Sequence, residues 1–171
     1  MTGVEPIYVL GLSGGVDSIV LLDLLARADN AKADFGGDPG LSRIASSITD
    51  PMTQIVVAHF DHGMREDSST DENFARGVAG DYGLRFESER AELGPEASED
   101  QARQARYDFL RRCCIKYDAQ LVTAHHQDDL LETMIINLIR GTGWRGLASL
   151  GSDMQTLRPL LSISKSALAT Y

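Results

Sequence analysis

Ile7-Tyr8-Val9-Leu10 is an apolar run of strand length, closed by Gly11, and within six residues the pattern changes its period. From Asp17 to Ala28, Ile19, Leu22 and Leu25 fall on one helical stripe, widened by Val20, Leu21 and Leu24. A buried strand that feeds directly into such a helix implies a helix laid on a sheet and a next strand running parallel to the first. The alternation then repeats. Gln54–Phe60 reads as a second strand, Asp71–Tyr82 as a helix weakened by Gly77 and Gly80, and Leu84–Glu87 as a third strand. Ser98 opens the clearest helix, with Gln101 completing a capping box and Glu99 and Asp100 complementing the first turn, and this helix runs to about Tyr117. Gln120–Ala124 follows as a strand and Gln127–Ile139 as a helix; Thr156–Leu160 suits an edge strand, where Pro159 is best tolerated. The expected fold class is α/β, an open parallel sheet of about five strands with helices on both faces.

Two segments depart from a minimal plan. Residues 29–53 separate the first helix from the second strand and read as an insertion, with a loop at Gly36-Gly37-Asp38-Pro39-Gly40 and a short helical pattern over Leu41–Ile48. Ser164–Tyr171 begins as a helix. The 171 residues, 43% apolar and 24% charged, suit a single globular domain over 1–171. Sixteen basic against 25 acidic residues give a net charge of −9, which argues against a protein that coats nucleic acid through phosphate neutralisation. Charges such as Asp23 interrupt every apolar stretch well short of a membrane span, and Glu5 with no basic-then-apolar run argues against a signal peptide. The two cysteines, Cys113 and Cys114, are neighbours, poorly placed to bridge each other. A soluble chain in a reducing, cytoplasmic compartment is expected.

Three clusters follow strand ends, where open α/β sheets bind ligands. The first is Ser13-Gly14-Gly15-Val16-Asp17-Ser18, leading into a helix. Two glycines allow a tight turn that aims consecutive N–H groups at one point, and the helix N-terminus adds partial positive charge, so the segment suits phosphate. It lacks the lysine of a Walker A loop. A plain glycine turn with Ser13 or Asp17 as a helix cap remains the alternative. The second cluster is His59-Phe60-Asp61-His62-Gly63-Met64-Arg65, and the third His125-His126-Gln127-Asp128-Asp129-Leu130-Leu131-Glu132-Thr133. Singly, such histidines pack or cap, and Asp128-Asp129 suits any helix start; three clusters at one sheet edge point to a site.

The first cluster resembles the S-G-G-x-D-S signature of the PP-loop ATP pyrophosphatases, an adenine nucleotide alpha-hydrolase-like fold. Within that superfamily, the second is similar to an H-x-N-H-G-L-R segment, and the third to an H-H-x-D-D-x-x-E-T segment, of the tRNA(Ile)-lysidine synthetase family. Arg140-Gly141-Thr142-Gly143-Trp144-Arg145-Gly146-Leu147 resembles that family's R-G-T-G-x-R-G-L loop, and Ala102-Arg103 with Arg106-Tyr107 its A-R-x-x-R-Y element. Asp61 stands where the family has asparagine, Met64 where it has leucine, and Lys165 where arginine is common.

The resemblance implies an ATP-dependent ligase that forms a carbon–nitrogen bond. ATP adenylates the C2 oxygen of the wobble cytidine in tRNA(Ile) with a CAU anticodon, releasing pyrophosphate, and the ε-amine of L-lysine then displaces AMP to give lysidine. It places ATP and Mg²⁺ on Ser13, Gly14, Gly15, Val16, Asp17, Ser18, His59, His62, Arg65 and His125. Asp17, Asp128, Asp129 and Arg140 become the catalytic candidates, Arg103, Arg106 and Arg145 the substrate contacts. Asp17 and Asp129 are the metal candidates, and which carboxylate holds metal and which orients lysine stays open. Family members continue past this region with tRNA-recognising modules, so 1–171 corresponds to the catalytic domain alone. The alternatives are an ATP-binding domain without turnover and another PP-loop tRNA modifier such as a cytidine thiolase. No membrane partner is expected, and the oligomeric state stays open.

Overall fold

A computed structural model describes residues 7–27, 54–63, 68–91, 93–94, 97–141 and 156–171. The insertion at 29–53, with its short helical pattern, lies outside the described residues, as do Met64, Arg65 and Arg145. The described elements are β1 (Ile7–Gly11), α1 (Val16–Arg27), β2 (Gln54–Asp61), α2 (Ser68–Asp81), β3 (Arg85–Arg90), α3 (Glu99–Tyr117), β4 (Gln120–Val122), α4 (Gln127–Ile139), β5 (Thr156–Leu157), a 3₁₀ turn (Pro159–Ser162) and α5 (Lys165–Thr170). All five strands pair in parallel, in the order β3-β2-β1-β4-β5.

Strand alternation divides the core into two layers. Leu10, Ile55, Val57 and Val122 pack with Leu21, Leu22, Ala75, Ala79 and Leu168, from α1, α2 and α5. Their strand neighbours Val9, Val56, Ala58 and Leu121 face the other way, onto Phe109, Leu110 and Cys113 of α3. Helices therefore cover both faces. Within α2, the fully buried Ala75 and Ala79 are small enough to bring the helix close to the sheet, and Gly77 and Gly80 lie on its exposed side. That helix stops where Gly83 turns left-handed (φ +66) and Leu84 donates its N–H to the Ala79 carbonyl. α3 carries the expected box: Gln101 N–H reaches Ser98 Oγ at 3.3 Å, and Ser98 N–H reaches Gln101 Oε1 at 2.8 Å.

The sheet's far edge is shorter than the sequence pattern suggests. β4 ends at Val122 rather than Ala124, because Thr123 and the residues after it bend into the site. β5 ends at Leu157, and Pro159 begins the 3₁₀ turn instead of extending the strand, as suits a residue without an N–H to give a ladder. Strand order reverses between β1 and β4, and the diverging connections leave a crevice at their carboxyl ends.

Candidate functional site

The crevice has one wall built by the loop after β1. Leu12 ties the loop to β2 through its N–H on the Ala58 carbonyl at 2.9 Å. Gly14 then takes φ +82, a left-handed backbone that glycine adopts freely. The Gly15 carbonyl receives the Ser18 and Ile19 amides at 3.1 and 3.2 Å and the Ser18 hydroxyl at 2.8 Å, closing the first turn of α1. Ser13 Oγ accepts the Gly15 N–H at 3.3 Å and lies 3.2 Å from Ser18 Oγ. The loop therefore satisfies itself at its base, while the first-turn amides at Val16 and Asp17 have no intrahelical acceptor and present positive partial charge.

The opposite wall begins where Thr123 leaves β4. Its hydroxyl pairs with His125 Nδ1 at 2.8 Å. The next residue, His126, is the N-cap of α4: its N–H reaches Asp129 Oδ2 at 2.9 Å and its Nδ1 faces the Asp129 N–H at 3.4 Å. Its Nε2 lies 3.5 Å from Asp17 Oδ2, across the crevice. Histidine is outside the usual capping set, so the pattern alone does not distinguish His126 from His125 as the cap; its place three residues ahead of the acidic N3 residue Asp129 is the available signal.

Between the walls is a cavity of about 200 Å³. Ser13, Asp17 and Ser18 line it from the loop, Ala58 and Phe60 from β2, Arg106, Tyr107 and Leu110 from α3, and His125 and Asp129 from the third cluster. A wider hollow of about 540 Å³, between the end of α3 and β4, takes Tyr107 from the A-R-x-x-R-Y element but no residue of the three strand-end clusters.

Other candidates fall elsewhere. His59 is 3% exposed and lies under the loop, donating from Nδ1 to the Leu12 carbonyl at 2.9 Å. It braces the cradle from beneath. His62 packs edge-on against Phe60, with ring centroids 5.1 Å apart, and burial lowers its pKa, helped by the charge of Arg106. Asp128 Oδ2 accepts the Lys165 backbone N–H at 2.6 Å. Arg103 is exposed and stacks over Tyr107 at 5.3 Å. Arg140 caps the far end of α4, roughly 16 Å along the axis from Asp129.

Residues 4–171 match the family model described as a PP-loop domain. The chain belongs to this PP-loop family. Among curated PP-loop relatives, the tRNA(Ile)-lysidine synthase of Rhodopirellula baltica is 35% identical over 175 residues, covering 94% of this chain and 43% of that protein. The tRNA(Ile)-lysidine synthase of Thermotoga maritima is 32% identical, covering 95% and 37%, and that of Pseudomonas syringae pv. tomato 35% identical, covering 96% and 34%. The chain thus spans less than half the length of these relatives. In fold it is similar to the U34-tRNA thiolase NcsA of Methanococcus maripaludis, with a TM-score of 0.70 at 18% identity over 98% of this chain and 56% of that one. It is also similar to the NMN synthetase of Francisella tularensis, with a TM-score of 0.56 at 13% identity over 97% and 59%.

The electrostatics of the PP-loop cavity suit an anion. Arg106 is held in its wall with no carboxylate at ion-pair distance among the described residues, and desolvation lowers its pKa, with the Arg103 charge adding to the effect. A desolvated, unpaired guanidinium gains more from a phosphate than a hydrated one does. His125 is pushed down to about 4 by burial and by Arg158, so it enters the cavity as a neutral imidazole at physiological pH. Among the described residues no cluster of three or more His, Cys, Asp or Glu forms a metal cage. Asp17 and Asp129 nevertheless both line the cavity, and one or two carboxylates with phosphate oxygens are the usual Mg²⁺ donor set. The donors fit a nucleotide-borne Mg²⁺.

Proposed function

We propose that this PP-loop domain supplies the ATP site and catalytic residues of a tRNA(Ile)-lysidine synthetase. The observation that carries the reading is the convergence of Ser13, Asp17, Ser18, Arg106, His125 and Asp129 on one cavity, in a chain 35% identical to a lysidine synthase over 94% of its length. ATP would lie with its phosphates over the Ser13–Ser18 loop. There the first-turn amides of α1 and the two hydroxyls bind the departing pyrophosphate. Arg106, on the facing helix, would stabilise charge on the adenylate. Mg²⁺ held by Asp17 and phosphate oxygens would neutralise phosphate charge. A free lysine ε-amine is protonated at pH 7, so a carboxylate beside it gathers the ammonium and accepts its proton as the amine attacks C2. Asp129, at the mouth of α4, is the residue assigned to that step; Asp128 is committed to Lys165. Arg103 and Arg140, exposed away from the cavity, are left to contact tRNA. The cytoplasm is the compartment where such a substrate meets ATP.

The rival thiolase reading meets an obstacle in the cysteines. The sequence has two, both on α3, with Cys113 buried, its thiol pushed up to about 11 by desolvation, and neither lines the cavity. A cluster-bearing or persulfide chemistry needs accessible thiolates. Pyrophosphate release tests the proposal. It should require the cytidine at the wobble position of tRNA(Ile), and lysine should displace AMP from the adenylated tRNA to leave a product heavier than the starting tRNA by one lysine less water. Release that ignores tRNA, or sulfur incorporation, overturns the reading.

A further inference from the structure

One buried side chain between α1 and α4 has no part in the chemistry described so far. His126 is 4% exposed, and its two ring nitrogens face different walls of the crevice. Nδ1 is the acceptor for the Asp129 N–H in the α4 cap. A neutral imidazole that accepts at Nδ1 carries its proton on Nε2, and Nε2 faces Asp17 Oδ2 at 3.5 Å. Nδ1 also lies 3.5 Å from Asp129 Oδ2 and 3.7 Å from Asp128 Oδ2. Each of those oxygens already has a shorter amide donor, from His126 itself at 2.9 Å and from Lys165 at 2.6 Å. Asp17 has no side-chain hydrogen-bond donor among the described residues, so the Nε2–H is the group placed to direct it.

We infer that His126 is a positioning residue, whose capped Nδ1 fixes the ring while its Nε2–H holds the Asp17 carboxylate toward the cavity. The inference rests on the nucleotide reading of that cavity. Capping alone does not call for histidine, because Ser, Asp and Asn cap as well or better with one acceptor. The second nitrogen is what those residues lack. Asp17 rides on the first turn of α1, where an unrestrained carboxylate swings freely into solvent. The ring gives it a fixed partner on the opposite wall, so that Asp17 and Asp129, which belong to different helices, keep one relative placement.

Two substitutions separate the nitrogens. His126→Asn retains an acceptor near Nδ1 for the cap and removes Nε2; His126→Gln places an amide near Nε2 and gives up the cap. In ligand-free urea unfolding, His126→Asn and Asp17→Asn should be non-additive by roughly two- to tenfold in the unfolding constant, as contacting side chains are. By calorimetry with ATP and Mg²⁺, His126→Asn should fold and bind about tenfold more weakly, the worth of one hydrogen bond to a charged group. His126→Gln should recover part of that affinity despite lower stability. Additive unfolding effects, or unchanged ATP–Mg²⁺ affinity in the Asn variant, overturn the inference. A wild-type chain that binds no ATP overturns the nucleotide reading instead, while the ligand-free cycle still decides whether the two side chains touch.

Discussion

The Lys165 backbone N–H donates to Asp128 Oδ2 across 2.6 Å and fastens the start of α4 to the start of α5. A second bond, from the Gln127 N–H to the Ile163 carbonyl at 2.9 Å, reinforces the same joint. Adjacent aspartates thus have separate partners, Lys165 for Asp128 and His126 for Asp129. Asp128→Ala should cost about 1–2 kcal/mol of stability, the usual loss for a capping carboxylate, with turnover changed severalfold at most. Asp129→Asn should instead slow the lysine-dependent release of AMP from the adenylated tRNA by about a hundredfold or more, within the range for losing a general base. Urea midpoints and release rates for the two variants check the division; the opposite pattern reverses the assignment.

Asp17→Asn keeps size and removes one charge from the cavity. Turnover should fall by about a hundredfold or more, while the melting temperature without ligand changes little, because relief of repulsion between acidic side chains facing one cavity offsets the weakened His126 contact. Calorimetric melting beside the pyrophosphate assay would show it. Near-wild-type turnover would remove Asp17 from the reaction.

The glycines divide in the same manner. A Cβ on Gly15 would meet only Ser13 Oγ at 3.4 Å, so Gly15→Ala should fold normally and lose ATP affinity by filling the concave side of the loop. Gly63, at φ +64, would place a Cβ 2.3 Å from the Ala91 carbonyl oxygen, so Gly63→Ala should destabilise the chain by about 2–4 kcal/mol through clash and strain. Circular dichroism with an ATP titration distinguishes the two outcomes.

A pH effect is expected from Asp23. Burial raises its pKa, but hydrogen bonds from Tyr171, Tyr82 and Arg27 outweigh this and leave the pKa below the ordinary carboxylate value. Tyr171 donates to Oδ2 at 2.6 Å and Arg27 Nε to Oδ1 at 2.6 Å. The folded pKa is therefore the lower one, so the contribution is complete above the unfolded value near 4 and drains away as pH falls through the folded pKa. Wild-type urea midpoints should drop between pH 5 and 3, and Asp23→Asn should flatten that slope while lowering stability at pH 7. An unchanged slope would show that other carboxylates govern the acid limb.

Much of the architecture was legible because it follows from periodicity. The change from β1 to α1, the Ser98–Gln101 box and the parallel order all rest on local pattern. What stayed hidden depends on pairs distant in sequence. His59 and His125 are both histidines near strand ends, yet one is buried beneath the loop on the Leu12 carbonyl and the other lines the cavity. No local rule tells them apart. Asp128 accepts the amide of Lys165, 37 residues away, while Asp129 accepts that of His126 and lines the cavity. Arg106 and Arg103 lie one helical turn apart, and only the packing of α3 on β2 decides that the first faces inward.

The two walls of the crevice are anchored unequally. β2 pairs with β3 from Val56 to Asp61 and with β1 from Gln54 to Ala58, whereas β4 meets β1 only across Gln120–Val122 and β5 across Leu121 and Val122. α4, which rises from that thin side, has no fully buried residue. Amide hydrogens there should exchange through local openings well below the global unfolding energy, while those of β1 and β2 exchange only when the whole domain unfolds. A nucleotide that touches both Ser13 and Asp129 bridges the rigid half to the yielding one, so beyond the loop amides that meet phosphate directly, the slowing of exchange on ligand binding should be concentrated in β4 and the first turns of α4, and be slight in β1 and β2.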